Sequence, residues 1–129
     1  MVAFHWLKNR HPSGVVDESC WKSGNCRFVI EGAAGDDSLG YDFEVPRRGG
    51  PVMYEVKATS GDAGMIELGE TEVRCAQKNS RSDRWRLLIV EDVLSPAPRI
   101  HMLPNPFHHD SRSLFSFDGN SVRLRFKLG

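Results

Sequence analysis

Residues 41–59 read Tyr-Asp-Phe-Glu-Val-Pro-Arg-Arg-Gly-Gly-Pro-Val-Met-Tyr-Glu-Val-Lys-Ala-Thr, and this segment alternates apolar and polar side chains twice. Alternation over residues 41–45 and again over residues 52–58 predicts two strands, each with one apolar face. Arg47-Arg48-Gly49-Gly50 between them has the composition of a hairpin loop. A symmetric loop brings the two apolar faces together, so we predict an antiparallel hairpin.

The same hairpin register sets two acidic residues opposite each other. It pairs Phe43 with Tyr54 and Asp42 with Glu55, and Lys57 follows on the polar face of Glu55. Directly opposed side chains lie roughly 5 Å apart at Cβ, so two carboxylates there repel each other unless a cation lies between them. Two partners are open at this point. One is Lys57 alone, and the other is a divalent cation such as Mg²⁺, which takes carboxylate and carbonyl oxygens.

Three sequence blocks carry a resemblance to a known family. They are Gly40-Tyr41-Asp42, then Tyr54-Glu55-Val56-Lys57-Ala58-Thr59, then Ile66-Glu67-Leu68-Gly69-Glu70-Thr71-Glu72. Together they resemble the core of PD-(D/E)xK nucleases, and more narrowly the domain at the C-terminus of the NO VEIN protein. The resemblance implies a restriction-endonuclease-like core with metal-dependent phosphodiesterase activity on DNA or RNA, in a defence or repair protein.

The resemblance also implies a task for each residue of the pattern. Asp42, Glu55 and Lys57 would be the catalytic residues. Asp42, Glu55 and the carbonyl of Val56 would hold Mg²⁺ or Mn²⁺, which activates water and offsets charge on a phosphate. Lys57 would orient the attacking water or stabilise the developing charge, a role that suits a compact ammonium. Thr59 would support the site.

Glu72 and five basic residues complete the predicted site. Glu72 either supports the site or satisfies backbone donors where a helix begins at Glu70. Basic side chains of the hairpin loop and of this helix are predicted to contact the phosphate backbone, and such contacts weaken steeply with salt. These side chains are Arg47, Arg48, Arg74, Lys78 and Arg81.

Two other functions stay open beside the nuclease. In the resembling family, a Gly-Glu in a longer first helix supplies an acidic residue near the metal, and this sequence begins at Met1 without it. That difference favours a catalytically inactive nuclease fold that binds nucleic acid or protein. The third possibility is a structural domain in which Asp42, Glu55 and Lys57 form a surface charge cluster.

Length and composition fit a single domain over residues 1–129, which we expect to be excised from a larger multidomain protein. Of the 129 residues 40% are hydrophobic, and 17 basic residues balance 17 acidic ones, so nucleic-acid contact depends on local patches. No apolar run reaches the roughly 20 residues of a membrane helix, so we expect no membrane partner and a cytoplasmic protein, or a nuclear one in a eukaryote. Three cysteines without paired spacing predict free thiols.

The remaining segments predict an α/β (α+β) fold, with a mixed sheet of about five to six strands and flanking helices. An apolar stripe predicts a helix over residues 2–10, and a second helix is predicted from Glu70 to about Lys78. A strand over residues 65–68 would extend the hairpin into a meander, and residues 84–92 would form an interior strand, parallel to a core strand. Further extended segments are expected at 15–21, 26–31, 100–103 and 121–128.

Two polar runs are predicted to have no ligand role. Asp36-Asp37-Ser38 between glycines is typical of a solvated turn. His108-His109-Asp110 follows a proline-rich connection. Adjacent histidines on an irregular loop should point in different directions, and the sequence offers no third ligand at tetrahedral spacing to complete a metal site. Both runs are therefore excluded from the predicted site.

Overall fold

The computed structural model of the chain describes residues 2–28, 30–59, 65–92, 94–111, 114–117 and 123–126. In chain order these ranges contain α1 (Val2–Arg10), β1 (Phe43–Val45), β2 (Val52–Ala58), β3 (Met65–Glu67), α2 (Glu70–Lys78), β4 (Trp85–Glu91), β5 (Arg99–Leu103), β6 (Phe115–Phe117) and β7 (Arg123–Phe126). Short 3₁₀ turns cover Glu18–Cys20, Gly24–Phe28 and His109–Ser111. Within these ranges, no helix is both long and apolar enough to cross a bilayer.

A mixed four-stranded sheet with the order β1-β2-β4-β5 forms the centre of the molecule. β1 pairs antiparallel with β2, with Phe43 opposite Tyr54 and Val45 opposite Val52, so the predicted hairpin register is confirmed. β4 runs parallel to β2, the direction that the expected nuclease-like core requires, and antiparallel to β5. Residues 87–90 of β4 are all buried, which agrees with an interior strand covered on both faces.

The predicted meander is wrong, because β3 leaves the central sheet. It joins a separate antiparallel sheet with the order β3-β7-β6. β4 takes one edge of β2 along Met53–Ala58, and β1 takes the other edge. The fold class is α+β as expected, but the strands are divided between two sheets.

Side chains of β4 divide the core into two layers. Leu88 packs in the first layer with Tyr54 and with Phe4 and Leu7 of α1. The second layer contains Leu87, Ile89 and Trp85 together with Ala76 of α2 and residues of the second sheet. Alternation along the strand therefore places α1 and α2 on opposite faces of the central sheet.

Two segments predicted to be extended form turns instead. Asp17 begins the turn over Glu18–Cys20 by accepting a hydrogen bond from the backbone N–H of Ser19 at 3.0 Å. Gly24–Phe28 is a 3₁₀ turn, and the Gly24 N–H donates to Asp37 at 2.7 Å. Short polar side chains thus offer these segments local bonds that compete with strand pairing.

The later extended segments agree better with prediction. β5 is a full strand over Arg99–Leu103, and β7 occupies Arg123–Phe126 of the predicted 121–128. The other residues of that last range, and Val29, lie outside the described residues. The three cysteines are free thiols, as predicted.

Candidate active site

Asp42 is fixed to the edge of β2 by both its main chain and its side chain. Its N–H donates to the Tyr54 carbonyl at 2.8 Å, and its own carbonyl accepts from the Lys22 N–H at 2.7 Å. One carboxylate oxygen, Oδ2, accepts from the Val56 N–H at 2.8 Å. A short polar side chain therefore continues the hydrogen bonding of β2 beyond the end of β1.

Gly40 explains how the chain reaches this position. Its φ of 86° lies in the left-handed region, and a Cβ built there would lie 2.5 Å from the Thr71 carbonyl oxygen of α2. Its carbonyl accepts a hydrogen bond from the indole N–H of the fully buried Trp85 at 3.0 Å. Only glycine permits so close an approach, which directs the next residues of the chain toward β2.

Glu55 is the neighbour of Asp42 across the two strands and is only 6% exposed. The pKa of its carboxyl is raised to about 10, first by burial and then by a hydrogen bond with the Asp42 side chain and the charges of Asp42 and Glu72, against the opposing charge of Lys57. Two carboxyl groups in such contact cannot both carry a charge without compensation. The pair must therefore hold a proton or a cation.

The Val56 carbonyl faces the same edge of β2 as Asp42. The Val56 N–H donates to Asp42, whereas the Thr59 N–H donates to Val90 of β4 on the opposite edge. In an extended strand the N–H and C=O of one residue point to the same side. Because β1 begins at Phe43, this carbonyl lies beyond its pairing with β2.

Lys57 forms an ion pair with Glu72 of α2. The other Glu72 oxygen accepts from the Gly69 N–H at 3.0 Å, at the start of α2. Glu72 therefore bonds to a backbone donor where α2 begins, and its second oxygen contacts Lys57. The Lys57 and Glu72 side chains are 23% and 16% exposed, so the pair is largely shielded from water.

These residues line a cleft of about 670 Å³. Its wall carries four carboxylate side chains, Asp37, Asp42, Glu55 and Glu72, and among the described residues Lys57 is the basic one. Val2 and Ala3 of α1 also line it. The cleft is therefore acidic whenever its carboxyl groups are ionised.

Asp37 and Ser23 belong to the cleft wall, and sequence reasoning missed both. Asp37 lies in an exposed turn, as predicted, and its carboxylate also accepts a hydrogen bond from the Gly24 N–H, 13 residues away. Ser23 is buried, and its hydroxyl has no hydrogen-bond partner within the described part of the chain. The Ser23 N–H also donates to the Asp42 carbonyl at 3.3 Å. No motif signals such a contact between distant loops.

The other predicted residues lie outside the cleft wall. Thr59 is buried, and its hydroxyl likewise finds no hydrogen-bond partner in the described ranges. Arg47 pairs with Asp83 at 3.1 Å and Arg74 with Glu70 at 2.9 Å, both on the surface. Three further basic side chains are exposed and do not belong to the cleft lining, namely Arg48, Lys78 and Arg81.

A family model described as "Protein NO VEIN, C-terminal" matches residues 14–103 of the chain. The match covers more than half of the 129 residues and contains all three site positions, Asp42, Glu55 and Lys57. No curated protein and no solved structure matches the chain.

Proposed function

The chain belongs to the NO VEIN C-terminal family, and from this membership and the geometry of the cleft we propose that it is a PD-(D/E)xK-type, Mg²⁺- or Mn²⁺-dependent nuclease domain. The observation that carries the proposal is the contact between the Asp42 and Glu55 carboxyl groups at the edge of β2. Lys57 lies two residues further on the same strand. We further propose that the domain acts within a larger parent protein.

The donor set fits a hard divalent cation. Two carboxylates, from Asp42 and Glu55, and the Val56 carbonyl supply only oxygen atoms, which Mg²⁺ and Mn²⁺ prefer. The raised pKa of Glu55 also favours cation binding, because a cation would replace the proton that the acidic pair otherwise retains. When bound, such an ion supplies Lewis acidity that activates water and offsets charge on a phosphate.

The protein residues would have three tasks. Asp42, held by the Val56 N–H, and Glu55, held by burial, keep their oxygens in a fixed arrangement, which lowers the reorganisation needed for binding. Lys57 supplies a positive point charge beside the scissile phosphate. Glu72 is a positioning residue that holds the Lys57 ammonium through their ion pair.

Charge also suggests how substrate would enter. Even with Glu55 protonated, the wall carries more carboxylates than ammonium groups, so the cleft repels a phosphate group until a cation is present. Nucleic-acid affinity at the cleft should therefore depend on the divalent ion. Exposed basic side chains such as Arg48 and Arg81 would add contacts to the phosphate backbone from outside the cleft.

A second candidate function keeps the same fold and site without cleavage. The Lys57–Glu72 ion pair favours it, because an ammonium already engaged by a carboxylate is less available to a phosphate. In this case the domain would bind nucleic acid or protein in a cation-dependent way.

Cleavage assays separate the two functions. Supercoiled DNA, linear DNA and single-stranded RNA are incubated with the full chain in Mg²⁺, Mn²⁺ or a chelator. We expect divalent-dependent cleavage that falls by about 10²-fold or more in Asp42→Asn and Glu55→Gln, a loss typical of removing one essential polar group. Glu44→Gln is the matched control, since Glu44 lies on β1 two residues from Asp42 and outside the cleft lining.

Cleavage that persists in both site variants, or in chelator, contradicts the nuclease proposal. Intact nucleic acid that binds only with Mn²⁺, and fails to bind Asp42→Asn, supports the binding module instead.

A further inference from the structure

Three metal-ligating side chains meet at the end of the connection that follows β5. His108, His109 and Asp110 each offer a ligand atom, and these atoms all lie within 4.8 Å of one another. The distance is 3.1 Å from His109 Nε2 to Asp110 Oδ1 and 3.9 Å from His108 Nδ1 to Asp110 Oδ2. The two imidazole rings stack with centroids 4.4 Å apart, so the expectation that they diverge is wrong.

A buried polar residue anchors the segment that carries them. Asn105, only 2% exposed, donates through Nδ2 to the Ala76 carbonyl of α2 at 2.7 Å and accepts from the Phe107 N–H at 3.0 Å. On the other side, the hydroxyl of the buried Ser111 donates to the Asn105 carbonyl at 2.7 Å. Asn105 thus fixes the loop to α2 on one side of the cluster, and Ser111 ties the other side back to Asn105, which favours a preformed arrangement of the side chains.

We propose that His108, His109 and Asp110 bind a divalent transition metal of the Zn²⁺ type. Two imidazole nitrogens with one carboxylate are a donor set typical of Zn²⁺, with an open fourth position. Bonds of 2.0–2.1 Å in a tetrahedron set ligand atoms about 3.3 Å apart. The separation of 3.1 Å between His109 and Asp110 is close to this value, and the 3.9 Å between His108 and Asp110 would shorten when an ion binds.

The hydrogen bonding of His108 agrees with this chemistry. Its Nδ1 accepts the Asp110 N–H at 3.2 Å, so this nitrogen carries a lone pair, as a ligand must. An ion would take the place of that hydrogen bond. The His109 and Asp110 side chains are 75% and 77% exposed, so an ion can enter directly from solvent.

Ligand chemistry separates this cluster from the cleft. Mg²⁺ and Mn²⁺ select the oxygens of Asp42 and Glu55, whereas imidazole nitrogens favour Zn²⁺ and Cu²⁺. The two sites should therefore fill independently when both kinds of ion are present. The proposed Zn²⁺ site does not depend on the nuclease proposal.

Calorimetric titration of the untagged full chain with ZnCl₂, in excess Mg²⁺, tests the proposal. We expect one Zn²⁺ per chain, with affinity at least about tenfold lower in His109→Ala and Asp110→Asn, because even outer-shell changes cost that much. Both residues are largely exposed, so the variants should fold. His5→Ala, at an exposed histidine of α1, and Cys75→Ser should bind Zn²⁺ as the wild type does.

The proposal is overturned if wild type gives no saturable binding, or if His109→Ala binds as tightly as wild type. It is also overturned if Cys75→Ser or Asp42→Asn abolishes binding. Co²⁺ in place of Zn²⁺ gives an independent measurement: the bound ion should show ligand-field absorption without a thiolate charge-transfer band, and a thiolate band would assign the metal to the cysteines.

Discussion

Charged side chains are arranged differently at the two ends of strand β2. At the start of β2, beside the hairpin loop, Asp83 forms ion pairs with both Arg47 and Arg86. Arg84 donates a hydrogen bond to the Gly49 carbonyl at 2.7 Å. Each of these charged groups has a partner, and Asp83 is 67% exposed to solvent. Toward its other end, from Glu55 onward, the buried Glu55 contacts the half-buried Asp42, with more carboxylate than ammonium around them. Unbalanced buried charge is costly unless a ligand compensates it, so the end of β2 is where we expect function.

The largest difference between the two ends should be in cleavage. Lys57→Met removes the ammonium from the cleft, and we expect cleavage to fall about 10²–10³-fold, as when a group that stabilises transition-state charge is lost. Arg47→Met, at the hairpin loop, should change cleavage only a few-fold, through weaker phosphate contact. Single-turnover rates at saturating Mn²⁺ measure both. Equal losses of cleavage rate in the two variants would contradict the proposed difference between the two ends of β2.

Backbone geometry should give a second contrast. Gly40→Ala forces a Cβ against the Thr71 carbonyl and keeps a left-handed φ, which should cost about 2–4 kcal/mol of unfolding free energy. Gly49→Ala has a similar φ of 89° with no heavy atom within 4 Å of the new Cβ, and should cost about 1–2 kcal/mol. Urea unfolding compares them, and a Gly40→Ala no worse than Gly49→Ala contradicts the close approach to α2.

The acidic pair predicts how stability depends on pH. The pKa of Glu55 is raised from 4.5 to about 10 in the folded chain, so its contribution is fully present below pH 4.5 and is lost as the pH rises toward 10. Glu55→Gln removes this loss and should stabilise the metal-free protein at pH 8 by on the order of 1 kcal/mol, about 4 °C in Tm. Thermal unfolding from pH 5 to 9 in chelator measures it. An identical pH slope in the variant would show that Glu55 does not carry the effect.

The smallest effect should follow from breaking the ion pair at the hairpin loop. Arg47→Ala leaves Asp83 with Arg86, so the free energy of unfolding should fall by about 0.2–1 kcal/mol, as for other exposed pairs. The difference should shrink further in high salt because the pair is solvated. Denaturant unfolding at low and high salt tests this, with a loss above that range counting against a merely surface role.

Local patterns predicted the part of the site that lies on one hairpin. The pairing of Phe43 with Tyr54 followed from matching the apolar faces of the two strands. The same register places Asp42 opposite Glu55, so the acidic pair could be predicted from the hairpin alone. α2 began at Glu70, as its acidic first turn indicated. Period-two alternation and helix-start chemistry act over a few residues, so sequence reasoning reaches them.

Contacts between distant segments could not be predicted in the same way. β3 was assigned to the wrong sheet, because the alternation of apolar and polar side chains shows which face of a strand is buried but not which strand it pairs with. Asp37 reaches Gly24, and Trp85 reaches Gly40 across 45 positions, through loops without a repeating pattern. The stacked pair of His108 and His109 lies in a loop that Asn105 bonds to α2, and no spacing rule describes such a bond.

Titration of the wild type with Mn²⁺ at pH 8, in two buffers that differ in ionisation enthalpy, tests most directly whether Asp42 and Glu55 share a cation. We predict saturable binding of Mn²⁺ with release of about one proton, the one held by the acidic pair, and a large loss of affinity in Glu55→Gln but not in Glu44→Gln. Absence of Mn²⁺ binding, or binding that is unchanged in Glu55→Gln and independent of the buffer, would contradict the proposal that Asp42 and Glu55 share a cation.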